Sequence, residues 1–146
     1  MTVCAIMTRP VVAVSMDDTL ETVRDLFQRE RFHHAIVIER GRVMGVVSDR
    51  DLLRNISPFV GKFAERAQDA ASLKRRVHQV MTRRLVSASP ATDIAKAAET
   101  MLLERVSCLP IIDSAGECVG IVTLRDILRW AVRAADQLAR ADRPAA

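Results

Sequence analysis

Gly45-Val46-Val47-Ser48-Asp49-Arg50-Asp51-Leu52-Leu53-Arg54 recurs, position for position, as Gly120-Ile121-Val122-Thr123-Leu124-Arg125-Asp126-Ile127-Leu128-Arg129. Both stretches keep a glycine, two β-branched residues, a hydroxyl residue, an acid three places beyond it, and arginines at the same two places. Upstream the match continues. Val37-Ile38 falls on Ile111-Ile112, Glu30-Arg31-Phe32 on Glu104-Arg105-Val106, Phe27 on Met101, Leu20 on Ile94, Ser15 on Ser89 and Val12 on Val86. It reaches the opening segments, where Val3-x-x-Ile6-Met7-Thr8-Arg9 matches Val77-x-x-Val80-Met81-Thr82-Arg83. One extra residue enters the second copy between Asp113 and Glu117, where Glu39-Arg40-Gly41-Arg42 suffices in the first. A turn is where an insertion costs least. Self-similarity on this scale means one supersecondary unit used twice.

Each copy spells the same elements. Pro10–Val14 and Leu85–Ala88 are short strand-like segments ahead of a serine. A helix follows, opened by Asp18-Thr19 in one copy and Thr92-Asp93 in the other, whose small polar side chains can cap its first amides. Leu20, Val23 and Phe27, then Ile94, Ala97 and Met101, recur at three and four residues and predict one buried stripe per helix. Ala35–Ile38 with Val43–Val47, and Leu109–Ile112 with Cys118–Val122, flank glycine-containing turns and read as hairpins. A second helix starts at Ser48 and at Thr123. Asn55-Ile56-Ser57-Pro58 is a turn. These signals divide the chain into a first repeat (1–58), a helical linker (59–76) with Phe59 and Phe63 as its packing residues, a second repeat (77–131), and a tail (132–146) that reads as a fraying helix and then disorder.

Composition sets the outer bounds. The 146 residues are 49% hydrophobic and 27% charged, enough apolar content for a buried core. Repeats of about 60 residues are marginal alone, so the two are expected to share an interface. No apolar run approaches the ~20 residues of a membrane span, and the start lacks a secretory pattern, so the expected location is the cytoplasm with no membrane partner. Cys4, Cys108 and Cys118 are odd in number and lack metal spacing, and are expected in or beside the core as small apolar residues. No metal site is expected. The net charge of +4 invites a polyanion, but Lys74-Arg75-Arg76 and Arg83-Arg84 are short runs and aromatics are 3% of the chain. Nucleic acid, which favours stacking platforms, is therefore not the expected partner.

Met-Thr-Arg opening each half, and Gly-x-x-(Ser/Thr)-x-x-Asp closing each hairpin, resemble a tandem pair of CBS domains, the module named after cystathionine β-synthase. Ser107-Cys108-Leu109-Pro110-Ile111-Ile112-Asp113 adds that family's strand entry, while the first copy has Ala35-Ile36 in place of Leu-Pro. The resemblance implies an α/β fold of two β-α-β-β-α repeats packed about a pseudo-twofold axis through their sheets. It also implies a flat homodimer, and ligands that contain adenine: AMP, ADP or ATP, or an adenosyl relative.

The residues suit such a ligand. A hydroxyl at a helix start with an acid three places on is also a capping box, which needs no ligand. The same geometry offers phosphate the amides of a helix N-terminus, and offers a ribose diol a carboxylate one turn away. Asp51 and Asp126 are the expected ribose acceptors, Ser48 and Thr123 the hydroxyls beside them, with Gly45 and Gly120 allowing close backbone approach. The resemblance implies that each motif faces the opening segment of the other repeat. Thr123, Arg125, Asp126 and the preceding Ile121 would face Thr8, Val11 and Val12. Ser48, Arg50, Asp51 and the preceding Val46 would face Thr82, Leu85 and Val86. His33 and His34 have Ser107 and Cys108 as counterparts, so the two clefts should differ, with the histidines serving phosphate at the Thr123/Asp126 cleft. The function expected is a regulatory adenine-nucleotide sensor that signals to an unknown partner protein, with no catalytic cofactor and no reaction of its own. The alternative is an interaction module with empty clefts.

Overall fold

The computed structural model describes residues 1–141 of the chain, a mixed α/β protein with two sheets. It divides into two compact units, Val11–Leu85 and Met1–Pro10 joined with the chain from Val86 onward.

In the Val11–Leu85 unit, strands β1 (Ala13–Val14), β2 (His34–Glu39) and β3 (Arg42–Ser48) form a sheet in that order. β1 runs parallel to β2, and β2 antiparallel to β3. The β2–β3 turn passes through Arg40 (φ 49°) and Gly41 (φ 76°), the paired left-handed residues that a tight hairpin requires. Helix α1 (Leu20–Glu30) starts at Thr19, whose hydroxyl accepts the Thr22 amide at 3.2 Å, and its buried residues are Leu20, Val23 and Phe27. Helix α2 is Asp49–Asn55 and α3 is Ala67–Ser72, followed by a single 3-10 turn at Val77–Gln79. Leu20, Val23, Ala35, Val37, Val47 and Val77 are wholly buried in one core.

The other unit repeats this plan. Helix α4 (Ile94–Glu104) buries Ile94, Ala97 and Met101, and α5 runs from Leu124 to Ala141. Strands β4 (Cys108–Ile112) and β5 (Cys118–Thr123) pair antiparallel, and Ala88 bridges in parallel to Ile111 as β1 does to β2. The added residue lies in the turn, where the Asp113 carboxylate accepts the Ala115 and Glu117 amides at 2.9 and 3.0 Å. Both hairpins break register at the same place, Val37/Ile38 and Ile111/Ile112. Helices α1 and α4 both end on an arginine in the left-handed region, Arg31 and Arg105, each at φ 56°.

Each core is completed by the opening segment of the other repeat. Val3 is wholly buried among Ile94, Met101, Leu109 and Ile111. Val77, its counterpart, is wholly buried among Leu20, Val37 and Val47. Backbone bonds fix the exchange. Thr8 and Ile121 donate to one another's carbonyls at 2.9 and 3.2 Å, and Thr82 and Val46 do the same at 2.9 and 3.1 Å. Gly45 and Gly120 are where these segments press closest. A Cβ at Gly45 would collide with the Thr82 carbonyl, and one at Gly120 would meet the Met7 sulfur at 2.5 Å. The close approach that these glycines permit is therefore to the exchanged segment. Gly45→Ala is expected to cost ~1–3 kcal/mol by overpacking against backbone, and Gly120→Ala less, because a methionine side chain can turn aside. Denaturant midpoints of the two variants check this order.

Two expectations change. In the linker only Ala67–Ser72 is helical, and Phe59 and Phe63 are exposed (51% and 110%), so they do not pack. The linker is held by polar contacts instead: Ser57 Oγ donates to Asp69 at 2.7 Å, Arg75 to Asn55 Oδ1 at 2.7 Å, and Arg76 to the Asp17 carbonyl at 2.6 Å. The chain after Ala131, whose alanines favour helix, continues α5 to Ala141, and 142–146, read above as disordered, lie outside the described residues. Cys4 is exposed, because the 3-10 turn Val3–Ala5 buries its neighbour Val3, while Cys108 is buried and Cys118 half-buried.

Candidate functional site

The two hydroxyl–acid motifs have the same construction. β3 ends and α2 begins at Ser48, which caps the helix. Asp51 Oδ2 accepts the Ser48 amide and the Ser48 hydroxyl, both at 2.8 Å, while Ser48 Oγ accepts the Asp51 amide at 3.3 Å. At the start of α5, Asp126 Oδ2 accepts the Thr123 amide at 2.9 Å and its hydroxyl at 2.7 Å, and the Asp126 amide reaches Thr123 Oγ1 at 3.3 Å. Both motifs are thus closed capping boxes that satisfy helix-end amides without a ligand.

The boxes differ beyond that ring. Asp126 is 8% exposed, the one buried charged residue among those described, and its Oδ1 accepts from Arg129 at 3.2 Å. Asp51 is half-buried, and its helix neighbour Asn55 donates to the Asp51 backbone carbonyl at 2.8 Å. The Arg129 contact was not read from the sequence, although three-residue spacing on a helix was the available signal. A hollow of about 170 Å³ lined by Ala5, Ile6, Asp126, Arg129, Trp130 and Arg133 opens beside that carboxylate.

The exchanged segments bring Thr8, through its pairing with Ile121, to the strand that leads into Thr123 and Asp126. They likewise bring Thr82, through Val46, to the strand that leads into Ser48 and Asp51. Arg50 and Arg125 are exposed at corresponding places on the two helices. Leu85 shares the unit of Asp51 and is 37% exposed, whereas Val86 belongs to the unit of Asp126 and packs on its core. Val11, Val12, His33 and His34 belong to the Val11–Leu85 unit.

The histidines have neighbours in their own repeat. His33 Nδ1 lies 2.8 Å from Asp49 Oδ2. His34 pairs in register with Ser48, as Cys108 does with Thr123, so one motif has imidazole beside it and the other a buried thiol. Burial holds the His34 pKa below its ordinary 6.5, with His33 and Arg50 adding to the effect and Asp49 and Asp51 opposing it. The fold therefore disfavours the charged form of His34, whereas the unfolded chain takes up the proton near pH 6.5. The resulting stability is present above pH 6.5 and is lost as pH falls through the folded value. Wild-type melting temperature is expected to drop between pH 7 and 5.5, and His34→Gln to flatten that drop; melts across pH check it.

Burial also raises the Cys118 thiol. Among the described residues no three His, Cys, Asp or Glu side chains converge to hold a metal, and no helix is long and apolar enough to cross a membrane.

The chain matches the family model for the CBS domain twice, over residues 3–58 and 77–133. It is 28% identical over 148 residues to an uncharacterised protein of Methanocaldococcus jannaschii, covering 84% of this chain and 86% of that one. Its fold is similar to that of a CBS domain pair crystallised with 5′-methylthioadenosine and S-adenosyl-L-methionine (TM-score 0.73, 20% identity, 90% of this chain and 95% of that one). It is equally similar to CBSX2 in complex with AMP (TM-score 0.72, 24% identity, 90% and 96%). The repeated opening segment, the twin hairpins and the twin boxes, together with the double match, make this chain a member of the CBS domain family, with one domain in each repeat.

Proposed function

We propose that the chain is a regulatory module that binds an adenine nucleotide and has no chemistry of its own. The observation that carries this reading is the duplicated construction at the two motifs. In each, a helix N-terminus, a capping hydroxyl and a fixed acid sit at the end of a strand whose edge is taken by the other repeat's opening threonine. A helix N-terminus suits phosphate, and a carboxylate oxygen left outside the capping ring suits a ribose diol. Asp51 and Asp126 are the ribose acceptors in this proposal. Ser48 and Thr123 order them, and Arg50 and Arg125 supply charge at the phosphate end. That two similar folds were crystallised with adenosine-containing ligands supports the class of ligand. A sensor of this kind signals through a partner protein by favouring one arrangement of the chain, which requires different affinity for the two arrangements. The proposal includes pairing of the chain with itself.

One observation favours a second reading, an interaction module without a ligand: both acids already complete a capping box. A thermal-shift panel with AMP, ADP, ATP, S-adenosylmethionine, NADH and GTP separates the two. A ligand at about 100 times its dissociation constant adds roughly 2.7 kcal/mol of apparent stability. The sensor reading expects an adenine compound to raise the melting temperature by several degrees while GTP does not. No shift with any compound at millimolar concentration favours the interaction module.

A further inference from the structure

The turn between β2 and β3 stands at the opposite end of β3 from Ser48, roughly 20 Å away along the seven residues of the strand. A cavity of about 720 Å³ opens there, lined by Met16, Asp17, Glu39, Arg40, Arg42 and Met44. That volume is ample for a small molecule, and all six residues belong to the Val11–Leu85 unit. Met16 and Met44 are half-buried and pack on the core, which makes them an apolar floor. The other four are two acids and two cations. Glu39 and Arg42 are partners in register across the hairpin, a placement at which opposite charges ordinarily meet. Yet Glu39, Arg40 and Arg42 enter no ion pair among the described residues. The Asp17 carboxylate, 86% exposed, has His78 at 3.6 Å.

The duplication supplies an internal control. At the corresponding places the second copy has Pro90, Ala91, Asp113, Ser114, Glu117 and Val119, with no cation and no methionine. It forms the same hairpin with the same break in register, so the fold does not call for the first copy's set. Arg40 sharpens the contrast. Its φ of 49° is a conformation that tight hairpins give to Asn, Asp or Gly, and departures of this kind cluster at functional sites.

We propose that this cavity binds a free α-amino acid with an aromatic or other apolar side chain. The lining is neutral as a whole but holds charges of both signs apart, which fits a zwitterion and not a simple anion. Arg40 and Arg42 take the α-carboxylate, to which a guanidinium offers paired donors. Glu39 and Asp17 take the ammonium. Met16 and Met44 take the side chain, since a thioether is polarisable and packs favourably on an aromatic ring. None of these residues belongs to either capping box, so the inference is independent of the nucleotide reading.

The test is a titration of the whole chain with L-phenylalanine, read on the ε-methyl NMR signals of its six methionines. Met16→Leu and Met44→Leu identify the two signals that matter. Both are expected to shift saturably at millimolar ligand, through the ring current of the phenyl group, while those of Met7 and Met101 stay in place. L-Phenylalaninamide and N-acetyl-L-phenylalanine each lack one of the two charges and should bind at least about tenfold more weakly. Arg42→Glu, which installs the second copy's residue, should weaken L-phenylalanine by a similar factor. Arg42 is exposed, so the variant's melting temperature should stay near that of the wild type and show that it folds. Asp51→Ala with Asp126→Ala should leave the Met16 and Met44 shifts unchanged. The absence of a saturable shift, shifts confined to other methionines, or full binding by Arg42→Glu would each overturn the site. Equal affinity for N-acetyl-L-phenylalanine would overturn the zwitterion and make the cavity a site for apolar anions.

Discussion

Val3→Asp is expected to unfold the unit that carries the second repeat, although residue 3 belongs to the opening of the first. Val3 is wholly buried among Ile94, Ala97, Met101, Leu109, Ile111 and Val122, and among the described residues no cation is buried to pair with a new carboxylate. An uncompensated buried charge costs about 3–5 kcal/mol, and the lost aliphatic packing adds to it. Set against a domain stability of ~5–15 kcal/mol, that is enough to open the unit. Hydrogen exchange gives the location. Amides of β4, β5 and α4 should lose protection, while those of β2, β3 and α1 keep more of theirs. Val77→Asp should do the converse, because Val77 fills the core of Leu20, Val23, Val37 and Val47. Loss of protection in the mutated residue's own repeat would contradict the exchange of opening segments.

The second large effect concerns ligand binding. Asp51→Ala with Asp126→Ala is expected to abolish the melting shift produced by an adenine nucleotide. A hydrogen bond from a ribose hydroxyl to a carboxylate contributes ~1.5–3 kcal/mol, so each acid is worth roughly 10- to 150-fold in affinity at its own motif. Each alanine also opens a capping box, which lowers stability by about 1 kcal/mol without any ligand. The shift must therefore be taken from each variant's own ligand-free melting temperature. Asp51→Asn and Asp126→Asn keep an acceptor at the helix end and isolate the charge. At Asp126 the ligand must compete with Arg129 for Oδ1, so Arg129→Ala is a useful companion variant. An unchanged shift in the double alanine variant would remove both acids from the site.

Much of the fold was readable because it rests on periodicity. The stripes Leu20, Val23, Phe27 and Ile94, Ala97, Met101 became the buried faces of α1 and α4, and both second helices begin at the hydroxyl residues, Ser48 and Thr123. The exchange of opening segments left no such periodic trace and was expected only from the family resemblance. The two copies are alike, so either Val3 or Val77 could fill either core, and the choice depends on chain path and not on local pattern. Gly45 and Gly120 show the same limit from another side: a glycine announces close approach but not what approaches. Phe59 and Phe63 misled because their four-residue spacing suits a helix, whereas the linker is helical only at Ala67–Ser72 and is tied down by Asp69, Arg75 and Arg76. The motifs themselves were legible as capping boxes. The ligand role proposed for them depends on groups the boxes leave over, which spacing alone does not disclose.

The most direct test of the central claim is isothermal titration calorimetry of AMP into the full chain, alongside the Asp51→Ala, Asp126→Ala double variant. The sensor reading expects a saturable heat in the wild type and none in the variant, with the variant folded by circular dichroism. A wild type that gives no saturable heat with AMP, ADP, ATP or S-adenosylmethionine at millimolar concentration would contradict it, and would leave the two capping boxes as elements of structure alone.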